Sequence, residues 1–442
     1  MGQVAIIGGG ISGLATAEWL SDQHQVVVLD AGQHPGGHIA TDRIDDLVFE
    51  RGPNGFLDSE PAMQALLHRV GLATATIQAN PGPRFVAIQG RMVPVPTTLM
   101  AFLTSPLLSG SAKLRLLTEP FRSRGPADES IADFVRRRIG SQPLDRLVGP
   151  MVSGIYAGNP QELSISACFG TLKTMEQRYG SLVLAGLAKA TLFRAASGPR
   201  GTLTTLQGGL DLLPTTLANR LGDNWHPSTP CTALERHPHG YVVHSHNRQF
   251  QADAVVLACP AIAQARLVKA IDPALSGLLR AIPYANLAVV ATARPTTGWQ
   301  PPAGFGVLVP KDQRLQILGT LFTSHLFTGH APPHVHTMRT MIGGSTRPIR
   351  GMSDDELIAT SERDNTALLG DMPKATHTRV YTYSRAIPQY TLGHPARLRA
   401  IRERQEAHPG LFLVGNHLQG IGIKDCAREG RSTANQVKAW FN

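Results

Sequence analysis

The sequence predicts an α/β protein with a doubly wound parallel sheet, and three observations support this fold class. An apolar run of strand length at residues 4–7 leads into a glycine-rich turn and then into an apolar helical segment at residues 14–20. Two further apolar strands are predicted at residues 253–260 and 411–414. Strands that lack polar alternation are typical of a parallel sheet buried on both faces.

The composition is that of an ordinary globular protein, with 42% hydrophobic and 17% charged residues. The 442 residues are enough for two or three domains. Forty-two Lys and Arg residues against 32 Asp and Glu residues give a net charge of +10. This charge allows an anionic partner, and nucleic acid, an acidic membrane surface and an anionic small molecule all satisfy it.

The cysteines and the N-terminus indicate the compartment. The four cysteines are far apart and form no C-x-x-C pair, which predicts buried thiols in a reducing compartment rather than a zinc site or a disulfide framework. The N-terminus has no charged leader followed by an apolar segment and a cleavage site, so we expect a cytoplasmic protein. No apolar run reaches the ~20 residues of a membrane span, so only peripheral membrane contact stays open.

The first strand and its turn have the pattern of a dinucleotide-binding site. In Gly8-Gly9-Gly10-Ile11-Ser12-Gly13, Gly8 allows a sharp turn, Gly10 lets the backbone approach a pyrophosphate, and Gly13 lets the helix pack closely on the strand. The phosphate is expected at the helix N-terminus, on free N–H groups and the positive end of the dipole.

A second apolar strand at residues 26–29 ends in Asp30, about twenty residues after the glycines. A carboxylate at this position accepts hydrogen bonds from the hydroxyls of an adenosine ribose. A glycine turn alone occurs often by chance, but the turn together with this strand and carboxylate predicts dinucleotide binding.

The segment Asp30-Ala31-Gly32-Gln33-His34-Pro35-Gly36-Gly37-His38 resembles the Glu-x-x-x-Arg-x-Gly-Gly-Arg stretch of the flavoprotein superfamily of amine oxidases and protoporphyrinogen oxidases. This resemblance implies FAD as the cofactor, with Ala31, Gly36, Gly37 and His38 among its contacts. His34 and His38 stand where the family has its basic residues.

Other segments resemble cofactor-contacting parts of the same superfamily. Gly52, Pro53, Asn54 and Gly55 resemble the Glu-x-Gly-Pro segment that passes beside the flavin, and residues 208–213 resemble the Gly-Gly motif that opens a helix of the cofactor domain. The resemblance places the backbone near Thr232 at the adenine and Ala258 at the adenosine. At the C-terminus it implies a helix through residue 439 that points at the flavin, with contacts from Gly415, Asn416, Ile421, Gly422 and Ile423.

Seven segments narrow the resemblance to the protoporphyrinogen oxidase family, whose members finish the tetrapyrrole ring in haem and chlorophyll synthesis. They lie at residues 105–121, 153–160, 304–310, 318–322, 341–344, 386–394 and 415–426. We therefore predict three parts: a discontinuous Rossmann-like FAD-binding domain, a helical insertion that can face a membrane, and a substrate domain with a mixed sheet. The first covers residues 1–75, 204–275 and 400–442, the second 97–187, and the third 76–96, 188–203 and 276–399.

A porphyrinogen is a large, flexible, apolar ring with propionate arms, so its site needs an apolar slot beside the flavin and a cation at the rim. The resemblance places Arg84 against a propionate and the backbone of Gly154 against the pyrrole nitrogens. It assigns the apolar slot to Phe305, Leu308, Leu321 and Met341.

The implied reaction is hydride transfer from the methylene bridges of the ring to flavin N5, with loss of pyrrole protons and release of hydrogen peroxide from dioxygen. Protoporphyrinogen IX is the expected substrate. The alternatives are coproporphyrinogen III, or another apolar substrate of an amine oxidase-like enzyme. We predict no side chain as general base and no metal, because positioning and the flavin are expected to supply catalysis.

An amine oxidase agrees less well with the sequence. Those enzymes place a Lys near flavin N5, at a position that corresponds to Val289, and the strand around it contains no Lys. They also hold the amine between aromatic rings near the C-terminal flavin turn, whereas residues 413–439 contain no Phe, Tyr or Trp.

Nucleic acid is not expected as a partner. The only sharp basic run, residues 136–138, has no interleaved aromatics and is interpreted as a solvated helix face. Residues 97–108 are apolar and predict either a helical element on an anionic membrane leaflet or a buried helix with a basic exit. The basic residues that follow are Lys113, Arg115, Arg122 and Arg124. The sequence leaves a homodimer open.

Overall fold

The structure is a computed structural model that describes residues 1–189, 201–246 and 248–442. The chain divides into two compact units: unit 1 contains Met1–Gln78, Gly201–Pro283 and Pro395–Asn442, and unit 2 contains Ala79–Arg200 and Tyr284–His394. The predicted insertion, residues 97–187, lies in unit 2. Residues 190–200 of the predicted substrate segment 188–203 lie outside the described residues.

Unit 1 contains a five-stranded parallel sheet, which confirms the predicted doubly wound α/β class. Val4 in the central strand pairs with Val26 on one side and with Ala254 on the other. Apart from the exposed Gln3 and Gln25 at the strand starts and the half-buried Val27, the side chains of the central strand and these two neighbours are buried, as expected for a parallel sheet. In spatial order the strands are Trp225–His226, Gln25–Leu29, Gln3–Ile7, Ala254–Leu257 and Leu411–Leu413.

The first and last helices of the chain pack against each other through small residues. A Cβ atom on Gly430 would lie 2.9 Å from Ala15 Cβ, so a larger residue there would push the two helices apart. The first helix, Ile11–Leu20, begins before the predicted residue 14, and the last continues beyond the predicted residue 439. The last helix is Ile423–Phe441. The other α-helices of this part are Pro61–Arg69, Leu212–Leu221, Ala261–Val268, Pro273–Arg280 and His394–Glu406.

Three smaller sheets complete unit 1. The strands Thr41–Ile44 and Leu47–Glu50 form a hairpin. The strands Phe56–Leu57, Leu203–Leu206 and Thr76–Gln78 form an antiparallel sheet. A three-stranded antiparallel meander contains Cys231–His237, Gly240–Ser245 and Arg248–Ala252. Short 3₁₀ turns lie at Ala73–Ala75 and Gly222–Asn224.

Unit 2 contains a seven-stranded mixed sheet, as the sequence predicts for the substrate part. Its one parallel pair joins Gly306–Leu308 to Arg84–Ile88, and the other pairs are antiparallel. One face packs on the helix Asp354–Leu369, because Val290 and Ile342 share an apolar cluster with its Leu357. In spatial order the strands are His377–Pro388, Tyr284–Pro295, Val335–Gly343, Ile317–Leu321, Gly306–Leu308, Arg84–Ile88 and Arg91–Pro94.

Most of the remaining helices of unit 2 fall within residues 97–187. They are Leu99–Thr104, Gly110–Leu117, Ile131–Arg138, Ser141–Pro143, Gly149–Tyr156, Ile165–Cys168, Gly170–Tyr179 and Leu182–Lys189. A 3₁₀ turn lies at Glu119–Phe121, a π turn at Leu144–Val148, and the short helix Thr323–Leu326 lies in the sheet part. No helix in the described ranges is both long enough and apolar enough to cross a membrane.

The basic run Arg136–Arg138 is not a solvated helix face, so that interpretation of the sequence is wrong. Arg138 is fully buried and forms ion pairs with Glu119 at 3.1 Å and with Glu176 at 2.6 Å. Arg137 also pairs with Glu176, at 2.7 Å. Lys173 pairs with Glu129 at 2.8 Å, so three cations and three carboxylates neutralise one another inside the helical part.

All four cysteines are free, but only Cys426 is buried, and Cys168, Cys231 and Cys259 are half-buried. Burial raises the pKa of each of the three half-buried thiols to about 12. Burial likewise raises the pKa of Cys426 to about 11. All four thiols are therefore protonated and poorly nucleophilic at neutral pH.

Candidate functional site

The turn after the first strand requires glycine at two positions. Gly8 has φ +119°, and a Cβ atom there would lie 2.7 Å from the carbonyl carbon of Ala258. A Cβ atom on Gly13 would lie 2.0 Å from the carbonyl oxygen of Gly8. Both contacts are with backbone, which cannot move aside as a flexible side chain can. The close packing of strand, turn and helix therefore depends on these two residues.

Gly10 leaves an open cradle at the start of the first helix. It is the N-cap residue, no side chain caps this helix end, and the first turn holds no acidic residue. No atom lies within 4 Å of the position that a Cβ on Gly10 would occupy. The first N–H groups of the helix thus meet free space at the positive end of the dipole, which suits a pyrophosphate.

A second glycine pair lies against this cradle. The N–H group of Gly36 donates to the carbonyl oxygen of Gly9 at 2.8 Å. A Cβ atom on Gly37 would be 3.7 Å from Gly10 Cα, and Gly37 has φ +61°. The structure therefore brings together the two glycine segments that the sequence assigns to one cofactor.

The Asp30 carboxylate is held at the end of the second strand by backbone donors. Its Oδ1 accepts a hydrogen bond from Gly32 N–H at 2.6 Å, and its Oδ2 accepts one from Gly9 N–H. Each oxygen keeps a further lone pair, so the position still suits the ribose hydroxyls that the sequence predicts. Ala31 follows directly and is exposed.

His38 supplies no cation at neutral pH, because burial lowers the pKa of its imidazole. A Cβ atom on Gly52 would lie 1.7 Å from the His38 carbonyl oxygen, so the segment of Gly52, Pro53, Asn54 and Gly55 passes directly beside His38. This close approach keeps the two predicted segments in contact. The N–H groups and the helix dipole at Gly10 therefore offer the positive potential that a phosphate in the cradle needs.

The C-terminal turn lies between the last strand and the last helix. Gly415 has φ +150°, and a Cβ atom there would be 2.7 Å from His417 Cε1. The helix begins after Gly422, whose N–H donates to Asp425 Oδ2 at 3.3 Å. Asn416, Ile421 and Gly422 are half-buried and Ile423 is buried. The glycine-rich turn and helix start predicted from the sequence are present.

Two other predicted contacts lie at strand ends of unit 1. Ala258 N–H donates to the carbonyl oxygen of Ile7 at 2.8 Å, which holds it at the end of its strand. Thr232 is exposed at a bulge of the strand Cys231–His237, and its hydroxyl donates to the His244 carbonyl oxygen at 3.3 Å.

Sequence reasoning missed three residues that shape this site. Trp225 lies behind Gly9, where a Cβ atom would approach its ring to 2.3 Å. Gln264 Nε2 donates to the carbonyl oxygens of Leu257 at 2.8 Å and Val414 at 3.0 Å, which ties two strand ends together. His417 is buried and lies 3.2 Å from Gln264 Oε1. Each acts across a long sequence separation, so no local motif signals it.

In unit 2, four of the six predicted substrate residues are related by the register of the sheet. Leu308 pairs with Gly319, and Gly319 pairs with Met341, so Leu308 and Met341 lie in one row across the strands. Arg84 pairs with Gly306, and Gly306 pairs with Leu321. These residues form a second row, which lies two residues along the strands from the row of Leu308. Because alternate residues share a face, Arg84, Leu308, Leu321 and Met341 all lie on the face opposite the helix Asp354–Leu369.

Gly154 and Phe305 flank the same face. A Cβ atom on Gly154 would lie 2.7 Å from Leu308 Cδ2, so the helix Gly149–Tyr156 approaches the sheet at a glycine. The Arg84 guanidinium lies 4.8 Å from the centroid of the Phe305 ring. Partial burial lowers the pKa of Arg84, but an arginine stays charged at neutral pH. Leu308, Leu321 and Met341 are each half-buried, so apolar surface is accessible beside a cation.

A second arginine lies on this face and was not predicted. Arg339 pairs with Leu321 in the row that contains Arg84. It is 5% exposed, so its charge is largely removed from water. Only knowledge of the strand order reveals its position, because Arg84 and Arg339 are 255 residues apart in the chain.

The glycine cradle, Asp30 and the parallel sheet define a dinucleotide-binding protein, and comparisons with known proteins identify its family. Residues 11–438 match the family described as flavin containing amine oxidoreductase. The chain therefore belongs to this family and is an FAD-dependent oxidoreductase.

Individual relatives extend over almost the whole chain. The chain is 31% identical to a chloroplastic protoporphyrinogen oxidase of Oryza sativa subsp. japonica, over 99% of this chain and 88% of the relative. It is 29% identical to a coproporphyrinogen III oxidase of Propionibacterium freudenreichii subsp. freudenreichii, over 98% of this chain and 90% of the relative. Its fold matches the crystal structure of a candidate protoporphyrinogen oxidase from Exiguobacterium sp. 255-15 with a TM-score of 0.87, at 24% identity over 99% of both chains.

Proposed function

We propose that this protein oxidises protoporphyrinogen IX to protoporphyrin IX in haem biosynthesis. The observation that carries the proposal is the face of the unit 2 sheet on which Arg84 lies beside accessible Leu308, Leu321 and Met341. FAD held at the glycine cradle would supply hydride acceptance from the methylene bridges, and its reoxidation by dioxygen with uptake of protons would yield hydrogen peroxide.

The residues of this face have two tasks in the proposed reaction. The apolar side chains bind the ring and exclude water from it, and the missing side chain of Gly154 leaves room beside Leu308. Arg84 orients the ring by pairing its planar guanidinium with a propionate. Neither row supplies a carboxylate or an imidazole. The first row contains Val86, Leu308, Gly319 and Met341, and the second contains Arg84, Gly306, Leu321 and Arg339. Positioning is therefore the contribution we assign to the protein.

The Arg84→Ala variant is expected to bind porphyrinogen poorly while it retains FAD. Loss of a charge-assisted hydrogen bond of about 1.5–3 kcal/mol corresponds to a rise in KM of about tenfold to a hundredfold. Steady-state kinetics with protoporphyrinogen IX and the flavin absorbance of the purified variant measure the two effects separately.

Arg91→Ala is the matched control, because Arg91 is an exposed arginine on the strand next to that of Arg84. Arg84→Lys keeps the charge but lacks the paired, planar N–H donors of the guanidinium, so we expect it to retain part of the affinity for porphyrinogen. A wild-type KM in Arg84→Ala would show that Arg84 does not bind the propionate.

Coproporphyrinogen III is the second candidate substrate, and the 29% identity to a coproporphyrinogen III oxidase is the observation that favours it. This substrate carries two additional propionates where protoporphyrinogen has vinyl groups. Relatives with either name are found. Comparison of kcat/KM for the two porphyrinogens decides between them. An amine is a weaker candidate, since the strand Tyr284–Pro295 contains no Lys.

We also propose that the helical part of unit 2 rests on an anionic membrane leaflet. Of the ten large hydrophobic side chains exposed in the described ranges, six lie between residues 99 and 121. The helix Leu99–Thr104 has no buried residue, which favours the surface interpretation over a buried helix. The six are Leu99, Met100, Leu103, Leu114, Leu117 and Phe121. Such a surface beside basic residues is typical of interfacial membrane binding.

A further inference from the structure

An open groove lies beside these exposed apolar side chains. Its volume is about 610 Å³, and its lining contains two arginines and no acidic residue. We call it the headgroup groove and define it by its polar residues. They are Ser109, Ser111, Arg115, Thr118, Arg122, Ser141 and Gln142.

The apolar and basic residues form two adjacent stripes. Leu114, Leu117 and Phe121 follow one another at spacings of three and four residues and are 66%, 72% and 89% exposed. Arg115 and Arg122 repeat the same spacing one residue later, with Thr118 between them. Leu114 and Leu117 lie on one side of the helix Gly110–Leu117, with Arg115 next to them. Phe121 and Arg122 follow at the end of the adjoining 3₁₀ turn Glu119–Phe121, so the apolar residues border the basic ones along the chain.

The two arginines are held in place by neutral acceptors. Arg115 Nη2 donates to the Arg136 carbonyl oxygen at 3.0 Å, and Arg122 Nη2 donates to Thr118 Oγ1 at 3.2 Å. Neither hydrogen bond removes positive charge from the groove. Arg115 Cδ also lies 2.8 Å from where a Cβ on Gly140 would be, so this glycine makes room for the side chain.

No carboxylate of the segment 97–125 is left to neutralise these charges. The only acidic residue in 97–125 is Glu119, which is fully buried. Its charge is compensated by Arg138 at 3.1 Å and by the N–H group of Leu182 at 3.0 Å. Lys113 instead donates to the carbonyl oxygens of Leu103 and Ser105, which joins the two exposed helices. Both charged residues in the lining of the groove are therefore cations.

We propose that the headgroup groove binds the phosphate of an anionic phospholipid, while the adjoining leucines and Phe121 enter the leaflet. Guanidinium groups bind phosphate oxygens through paired N–H donors, and the serine hydroxyls suit a glycerol headgroup. A nucleic acid would leave the apolar stripe in water. A phospholipid membrane buries the apolar stripe in its acyl chains and pairs the basic stripe with its headgroups. This inference rests on the proposed membrane contact and adds a headgroup preference to it.

Flotation of the FAD-loaded protein in a density gradient tests the proposal. The vesicles are phosphatidylcholine alone, or phosphatidylcholine mixed with phosphatidylglycerol. We compare the wild type with the double variant Arg115→Gln/Arg122→Gln. The matched control, Arg91→Gln/Arg350→Gln, removes two exposed arginines of unit 2 from outside the groove. Flavin absorbance shows that each variant is folded.

We expect the wild type to float with the mixed vesicles far more than with phosphatidylcholine, and the control variant to behave likewise. The groove variant should partition about thirtyfold more weakly into mixed vesicles, since each basic residue near the surface contributes about 1 kcal/mol. Equal flotation of the groove variant and the wild type with the mixed vesicles would overturn the proposal that the groove binds the headgroup. Equal flotation of the wild type with both vesicles would overturn the headgroup preference alone. If the wild type stayed at the bottom of the gradient with both kinds of vesicle, the membrane contact itself would be overturned.

Discussion

Gly13→Val is expected to yield protein without FAD. A Cβ atom at residue 13 would lie 2.0 Å from the Gly8 carbonyl oxygen and 3.0 Å from Ala258 Cβ, so the helix must move away from the strand. The N–H groups that start the helix then lose their position relative to the cradle at Gly10. The ratio of flavin to protein absorbance after purification measures the effect, and we expect a loss of at least about tenfold, or roughly 1.4 kcal/mol of cofactor binding.

Gly277→Ala is the matched control for this variant. Gly277 lies in the helix Pro273–Arg280 of the same unit, and among the described residues no atom outside its own helix backbone lies within 4 Å of the position of its Cβ. Alanine in a helix is favoured over glycine by roughly 0.5–1 kcal/mol, so the control should retain FAD and lose no stability. Full flavin content in Gly13→Val would show that the glycine cradle is not the cofactor site.

Glu176→Gln is expected to destabilise the helical part strongly. Glu176 is fully buried and accepts hydrogen bonds from Arg137 at 2.7 Å, Arg138 at 2.7 Å and Lys173 at 2.5 Å. The substitution keeps the shape but leaves three cations with two carboxylates, Glu119 and Glu129, and the uncompensated buried charge costs about 3–5 kcal/mol. Urea unfolding monitored by circular dichroism measures the change.

Asp133→Asn serves as the control, because Asp133 is 65% exposed and pairs with Arg136 at 3.5 Å at the surface. Exposed pairs contribute about 0–1 kcal/mol, so this variant should unfold close to the wild type. If Glu176→Gln were as stable as Asp133→Asn, the buried ion pairs would contribute nothing to the fold.

The same network predicts how stability depends on acid. Burial alone would raise the pKa of Glu176, but hydrogen bonds from Lys173, Arg137 and Arg138 outweigh burial and lower it from 4.5 to about 2. A lowered pKa in the folded state stabilises the protein above pH 4.5, and this contribution is lost as the pH falls from 4.5 to about 2. Acid unfolding of the wild type should therefore steepen in this range, whereas Glu176→Gln lacks this dependence.

The cofactor cradle could be predicted from the sequence because its parts are local. Gly8 and Gly13 have backbone requirements that no other residue meets, and the strand that ends at Asp30 follows at a fixed distance. The turn at Gly415 and the helix after Gly422 are similarly contiguous. Each of these features depends on neighbours within a few residues.

The rest depends on contacts that sequence spacing does not encode. Arg138 looks solvated in the sequence because its partners Glu119 and Glu176 are 19 and 38 residues away. The face that carries Arg84 depends on a parallel pairing with Gly306, which only the strand order reveals. Tertiary pairing of this kind overrides a local pattern of charge or hydropathy.

The central claim is that this FAD enzyme oxidises a porphyrinogen. Anaerobic mixing of the purified yellow protein with protoporphyrinogen IX, coproporphyrinogen III or a primary amine tests it most directly. We predict that protoporphyrinogen IX bleaches the flavin absorbance and that porphyrin fluorescence appears at the same rate, while the amine leaves the flavin oxidised. Flavin that stays oxidised with both porphyrinogens, or that is reduced by the amine alone, would contradict the account.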